Sequence, residues 1–150
     1  MLLVTFVDGA GSRIGVLDAA RGELVDLAQA APGLPSDMLG LIALGEAGLA
    51  EARRALASGG ARRPLTQVRL LAPLPRPARN ILCVGKNYRD HVQEVQSIAA
   101  GGAASADALP PAPIFFTKAT TTVIGPGEPI PASSDPTQSV DYEGELAVVI

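Results

Sequence analysis

The sequence predicts an α+β chain, mainly β. A small N-terminal domain of β-meander and helices spans 1–72, and a second, strand-rich domain spans 73–150. Three observations carry this. Short alternating apolar runs separated by turn compositions open the chain, two helical patterns follow them, and Ala72-Pro-Leu-Pro-Arg-Pro-Ala78 then places three prolines in seven residues. Such a segment continues neither a helix nor a central strand and reads as a stiff linker between two units.

Leu2 to Val7, Arg13 to Leu17 and Glu23 to Leu27 read as the three strands of an antiparallel meander. Asp8-Gly-Ala-Gly11 and Ala19-Ala-Arg-Gly22 are its turns. Gly9, Gly11 and Gly15 do not have dinucleotide-loop spacing, and no helix follows them. After Pro32 and Pro35, Ser36 caps a short helix over Asp37 to Leu44. Glu46 to Ala57 forms a second, with Leu49, Ala52 and Leu56 on one face and Ser58-Gly-Gly60 as its stop. Leu65 to Leu70 returns as a strand.

Beyond the linker, Asn80 to Val84 is a short buried strand. A helix beginning at His91 has Asp90 as its cap and Gln93 at the capping-box position. Residues 99–108 are nearly all Ala, Gly and Ser, a loop composition placed where a lid would lie. Ile114 to Lys118 is a strand that Thr120 to Ile124 extends after a kink. Gly125-Pro-Gly127 turns the chain, and a polar loop over Ala132 to Gln138 leads into the last stretch.

That stretch, Ser139-Val-Asp-Tyr-Glu-Gly-Glu-Leu-Ala-Val-Val-Ile150, reads as a strand. Period-two alternation puts Asp141, Glu143, Glu145, Ala147 and Val149 on one face, and Tyr142, Gly144, Leu146, Val148 and Ile150 on a core face. Glu143 and Glu145 then lie roughly 6.6 Å apart at Cα and converge. At an effective dielectric near 20, two unit charges roughly 5 Å apart repel by about 3 kcal/mol. A divalent cation would reverse that sign, and oxygen-only ligands favour Mg²⁺, Mn²⁺ or Ca²⁺ over zinc. The alternative is a solvated edge whose charges discourage pairing. An apolar strand reaching Ile150 without a turn or cap is read as belonging to a longer domain, of which this chain is a fragment.

His91 is the only histidine, and Glu94 follows it by one helical turn. A carboxylate beside an imidazole fixes its tautomer and raises its basicity, as a general base requires. The alternative is an incidental surface pair. Cys83, the only cysteine, excludes an internal disulfide and reads as buried packing between Leu82 and Val84.

With 47% hydrophobic and 18% charged residues the chain is globular, and a net charge of −3 argues against a nucleic-acid or anionic-membrane surface. The N-terminus lacks the basic flank of a signal peptide and the length of a spanning helix, so a cytoplasmic location is expected.

Four stretches together resemble the fumarylacetoacetate hydrolase family: Asn80-Ile-Leu-Cys-Val-Gly-Lys-Asn-Tyr-Arg-Asp-His-Val-Gln-Glu94, Pro113-Ile-Phe-Phe-Thr-Lys118, Val123-Ile-Gly-Pro-Gly127 and Val140 to Ile150. They occur in the family's order, and the N-terminal unit is similar to the small domain that bacterial members carry. The resemblance implies that residues 73–150 begin a mixed β-sandwich or roll. It implies that Glu143 and Glu145 bind Mg²⁺ or Mn²⁺, and that His91 and Glu94 form a lid dyad. Lys118 and Thr120 would lie near the substrate; for Lys118 a solvated strand-end charge is the alternative. The family's third metal-ligating carboxylate and its catalytic lysine lie downstream of the stretch matched here.

The implied substrate is a small 2-oxo or 1,3-dicarbonyl acid, and the implied reaction is hydrolytic cleavage of a carbon–carbon bond in an acylpyruvate through a metal-stabilised enolate. Decarboxylation and keto–enol isomerisation of related 2-oxo acids use the same enolate. A homodimer is expected. Two rival readings differ in class. A glycosidase would also place two carboxylates on one strand, but its sugar platforms call for aromatic residues, and here these are 3% of the chain with no tryptophan. A non-catalytic, partner-binding fragment is the other.

Overall fold

The computed structural model describes residues 1–9, 11–99 and 110–150, with the side chains of 95–99 left out. The segment read as a loop over 99–108 therefore lies, beyond the backbone of Ala99, outside the described residues.

The meander forms as expected from β1 (Leu2–Val7), β2 (Ser12–Asp18) and β3 (Glu23–Asp26). Leu2 stands opposite Leu17 and Val7 opposite Ser12, so the first turn closes a tight hairpin. Two edge strands complete an antiparallel sheet of order β4-β3-β2-β1-β5: β4 (Arg62–Pro64) and β5 (Arg69–Leu71). The single strand expected over Leu65 to Leu70 is instead a 3₁₀ turn at Leu65–Gln67 between these two short strands. Pro64, with no N–H to give a ladder, ends β4. Laid flat, the two edges of five strands would stand about 19 Å apart, and the link from Pro64 to Arg69 spans at most about 17 Å fully extended. Part of that link is coiled into the turn, so the sheet must curl.

Three helices follow β3. α1 (Leu27–Ala30), not anticipated from the sequence, is capped by Asp26, whose Oδ1 accepts from Ala28 N at 3.1 Å. α2 (Met38–Ala43) is capped by Asp37 rather than Ser36, because Asp37 takes extended backbone angles and its carboxylate accepts from Gly40 N at 2.9 Å. α3 (Gly45–Ser58) ends at Gly59, whose φ of 74° is left-handed. Its buried face is Gly48, Ala52 and Ala55; of the expected stripe only Ala52 is fully covered. The reason is close packing on α2: a Cβ at position 48 would sit 2.9 Å from the Leu41 carbonyl oxygen. Ile14, Val16, Val25, Leu27, Met38 and Leu41 join Ala52 and Ala55 in the core between sheet and helices.

β6 (Ile81–Gly85) and β7 (Ile114–Lys118) form a separate antiparallel ribbon, with Gly85 opposite Ile114 and Ile81 opposite Lys118. β6 is not the buried strand expected: Leu82 is 66% exposed and Cys83 half-buried, because a two-stranded ribbon has little core of its own. α4 (Arg89–Ala99) starts two residues before His91, so Asp90 lies within its first turn rather than capping it. Thr120 to Ile124 does not extend β7; a 3₁₀ turn at Thr120–Thr122 stands there instead, held by the Thr122 N–H and hydroxyl on the Ala119 carbonyl. Gly125 packs on the end of β5, where a Cβ would sit 3.1 Å from Leu71 Cα, and Arg69 meets Glu128 at 3.0 Å.

The largest departure is the acidic stretch. Residues 139–150 form no strand and are exposed throughout, so the apolar alternation meant for a core face lies open, with Leu146 at 83%. Alternation reports compatibility with a pleated sheet, while a strand also needs a ladder partner. No helix among the described residues is long and apolar enough to cross a membrane.

Candidate active site

The joint between β6 and α4 builds one side of the site. Lys86 has a left-handed backbone, φ 54°, and swings the chain out of β6 into the helix. The Tyr88 carbonyl accepts the Val92 N–H at 3.1 Å, so the helical bonding begins at Tyr88, and Val92 is buried beneath it. Tyr88 and His91, three residues apart at this helix start, therefore share one face.

The acidic segment lies on that face. His91 Nε2 stands 3.1 Å from Glu143 Oε1, and Leu146 N–H donates to the Tyr88 hydroxyl at 3.1 Å. The His91 and Glu143 side chains are 37% and 56% exposed, so water screens their attraction and the contact orients more than it stabilises. The segment is entered through Gln138, also left-handed at φ 55°, and through a loop organised by Asp135. That carboxylate accepts from Thr137 N at 2.9 Å and from Ser139 N at 2.6 Å. The Thr137 hydroxyl above all, then backbone N–H groups, hold the Asp135 carboxyl below its ordinary range.

Of the positions expected from the sequence, the structure brings His91 and Glu143 into contact. Glu145 follows two residues on, exposed, and Glu94 lies one turn further along α4. Lys118 is exposed at the far end of the ribbon: Gly85, which leads to α4, pairs with Ile114, four residue steps or about 13 Å along β7 from Lys118. Thr120 opens the 3₁₀ turn beyond it. The Asp135 turn and the role of Tyr88 escaped the sequence reading. Asp135-Pro-Thr137 had a usable signal, the Asx-turn composition. Tyr88 had a weaker one, its position three residues before the histidine.

Among the described residues, no three of His, Cys, Asp and Glu gather into a metal-holding group. The donor chemistry of Glu143 and Glu145 nevertheless fits a hard cation. Mg²⁺ keeps several waters and is commonly bound through one or two carboxylates, and exposed carboxylates leave room for that water.

Residues 80–150 match the sequence profile described as fumarylacetoacetate (FAA) hydrolase C-terminal. The chain belongs to the fumarylacetoacetate hydrolase family. The matched range spans the positions of His91, Glu94, Lys118, Thr120, Glu143 and Glu145. Oxaloacetate tautomerase YisK of Bacillus subtilis (strain 168) is 48% identical over 86 residues, 57% of this chain and 26% of its own length. The mitochondrial oxaloacetate tautomerase Fahd2a of Rattus norvegicus is 38% identical over 137 residues, 91% of this chain and 40% of its own, so its likeness extends through the N-terminal sheet. Protein Rv2993c of Mycobacterium tuberculosis is 47% identical over 89 residues, 58% of this chain and 28% of its own. The chain thus spans well under half the length of these family relatives.

Proposed function

We propose that this family member contributes to a keto–enol tautomerase acting on a small 2-oxo acid of the oxaloacetate type, with residues 1–72 as an accessory domain and 73–150 as part of the catalytic one. The contact of His91 with Glu143 carries the reading, since it puts the only histidine beside a candidate cation ligand. Relatives named as oxaloacetate tautomerases favour isomerisation over the acylpyruvate hydrolysis that the family resemblance first suggested.

Tautomerisation moves one proton from the carbon beside the oxo group to the oxo oxygen, with no net bond to water. His91 faces Glu143 with its Nε2–H, so Nδ1 is the ring nitrogen that takes the carbon-bound proton; the imidazolium so formed returns it to oxygen. Glu94, one turn away, orients the ring through the helix. Bound Mg²⁺ or Mn²⁺, held by Glu143 and Glu145, would supply Lewis-acid neutralisation of enolate charge. The whole protein is expected to act as a homodimer.

The test, on the whole protein, is Mn²⁺ titration by calorimetry, with and without oxalate as an enolate mimic, alongside the ultraviolet decay of enol-oxaloacetate. The expected result is Mn²⁺ binding that oxalate strengthens and the Glu143→Gln/Glu145→Gln double variant loses, with faster enol decay for the parent chain. Absence of Mn²⁺ binding in the presence of oxalate would overturn the assignment.

A further inference from the structure

We propose that Tyr88 is a positioning residue whose hydroxyl clamps the acidic segment onto the start of α4 and so seats Glu143 against His91. The inference deepens the functional reading above, because it concerns how two of that site's residues come to face each other.

At its start the segment is held by the Asp135 carboxylate, which accepts from Ser139 N at 2.6 Å. Residues 139–150 form no ladder and are exposed throughout, with Tyr142 at 90%, so apolar burial does not fix their place. Polar contacts must do so. Among the described residues, two of them reach α4 or the residue just before it: the Leu146 N–H donates to the Tyr88 hydroxyl, and Glu143 meets His91, both at 3.1 Å.

The order of these contacts matters. Tyr88, just before α4, precedes His91 while Leu146 follows Glu143 on the segment, so the two contacts fix an antiparallel crossing. One contact alone would leave the segment free to pivot about it. Three residues cover about 4.5 Å along a helix and about 10 Å along an extended chain. The long phenol makes up part of that mismatch, and a tyrosine loses rotation about only two side-chain bonds when it is ordered. The Tyr88 hydroxyl grips a main-chain N–H and is therefore indifferent to the side chain at 146, whereas the histidine contact depends on Glu143.

His91 is the only histidine, so its imidazole gives a single Hε1 nuclear magnetic resonance signal in the 150-residue chain. The experiment compares that signal, at fixed pH and without metal, in the parent chain, Glu143→Gln and Tyr88→Phe. The methyl signals of Ile14, Val16 and Leu41 report the N-terminal core as a folding control.

The expected result is that Glu143→Gln displaces the His91 signal and Tyr88→Phe carries it most of the way to the same position, with the core methyls unmoved. A nuclear Overhauser contact between the Tyr88 ring and the Leu146 amide is also expected in the parent chain. An unmoved His91 signal in Tyr88→Phe would overturn the clamp, as would an unmoved signal in Glu143→Gln. Should Tyr88→Phe disturb the core methyls, the Overhauser contact in the parent chain decides, and its absence is equally fatal. These signals need no cation, so failure of Mn²⁺ binding and failure of the clamp are separate results.

Discussion

His91 and Glu143 meet with Nε2 3.1 Å from Oε1, and the chain reaches each of them through a left-handed residue, Lys86 before α4 and Gln138 before the acidic segment. One side chain is suited to moving a proton and the other to holding a cation. Their contact therefore makes separable predictions.

His91→Ala is expected to keep Mn²⁺ binding while lowering the turnover of enol-oxaloacetate by roughly 10²–10⁴-fold, the usual contribution of a general acid–base group. Glu145→Gln is expected to lose Mn²⁺ binding itself. Calorimetry and the ultraviolet assay on the same preparations separate the two roles, and equal loss of metal binding in both variants would refute the division.

Lys86→Val should destabilise the joint between β6 and α4 by about 1–2 kcal/mol, because a β-branched side chain is poorly tolerated at φ 54°. Lys86→Gly should stay within about 1 kcal/mol of the parent, since relief of that strain is offset by the greater freedom of glycine in the unfolded chain. Urea unfolding of the two variants, followed at α4, checks the contrast.

The Asp135 loop should loosen in acid. Hydrogen bonds from Thr137 first, then from the Ser139 and Val140 backbone, lower the folded pKa of this carboxyl. Their stabilisation is thus fully present above the unfolded value, about 3.9, and is lost as pH falls through the lower folded value. Protection of the Ser139 amide, its exchange measured against the intrinsic rate at each pH, should fall across that acid window in the parent chain, and Asp135→Asn should remove this change in protection.

Asp26 has no exposed surface, and its Oδ2 lies 3.1 Å from Arg13 Nη1 and 3.2 Å from Arg63 Nε. Neither approach is aligned as a hydrogen bond, so their attraction is chiefly Coulombic. Asp8 pairs with the same two guanidinium groups. Asp26→Ala should cost about 3 kcal/mol, the low end for breaking a buried pair, because Asp8 still offsets part of the exposed charge and the α1 cap is lost as well. Urea denaturation measures it.

Local chemistry was enough to read much of this molecule. Turn compositions after Val7 and Leu17 determined the meander, Gly59 ended α3, and Ile114 to Lys118 formed a strand with the expected limits. The spacing of His91, Glu94, Glu143 and Glu145 raised proton transfer and a hard cation beside the alternative of solvated surface charges, and the motifs around them pointed to the family that the profile match supports.

Tertiary structure decided the rest, because those outcomes depend on neighbours distant in sequence. Gly48 instead of Leu49 faces the core because α3 presses on the Leu41 carbonyl. Arg62–Pro64 and Arg69–Leu71 became strands because β3 and β1 offered them open edges. The alternating pattern of 139–150 did not become a strand, because a pleated face yields a ladder only where a second chain segment supplies hydrogen bonds. The pairing of His91 with Glu143, and the reach of Tyr88 to Leu146 beside it, required the left-handed turns at Lys86 and Gln138 to bring a helix and an unpaired segment face to face.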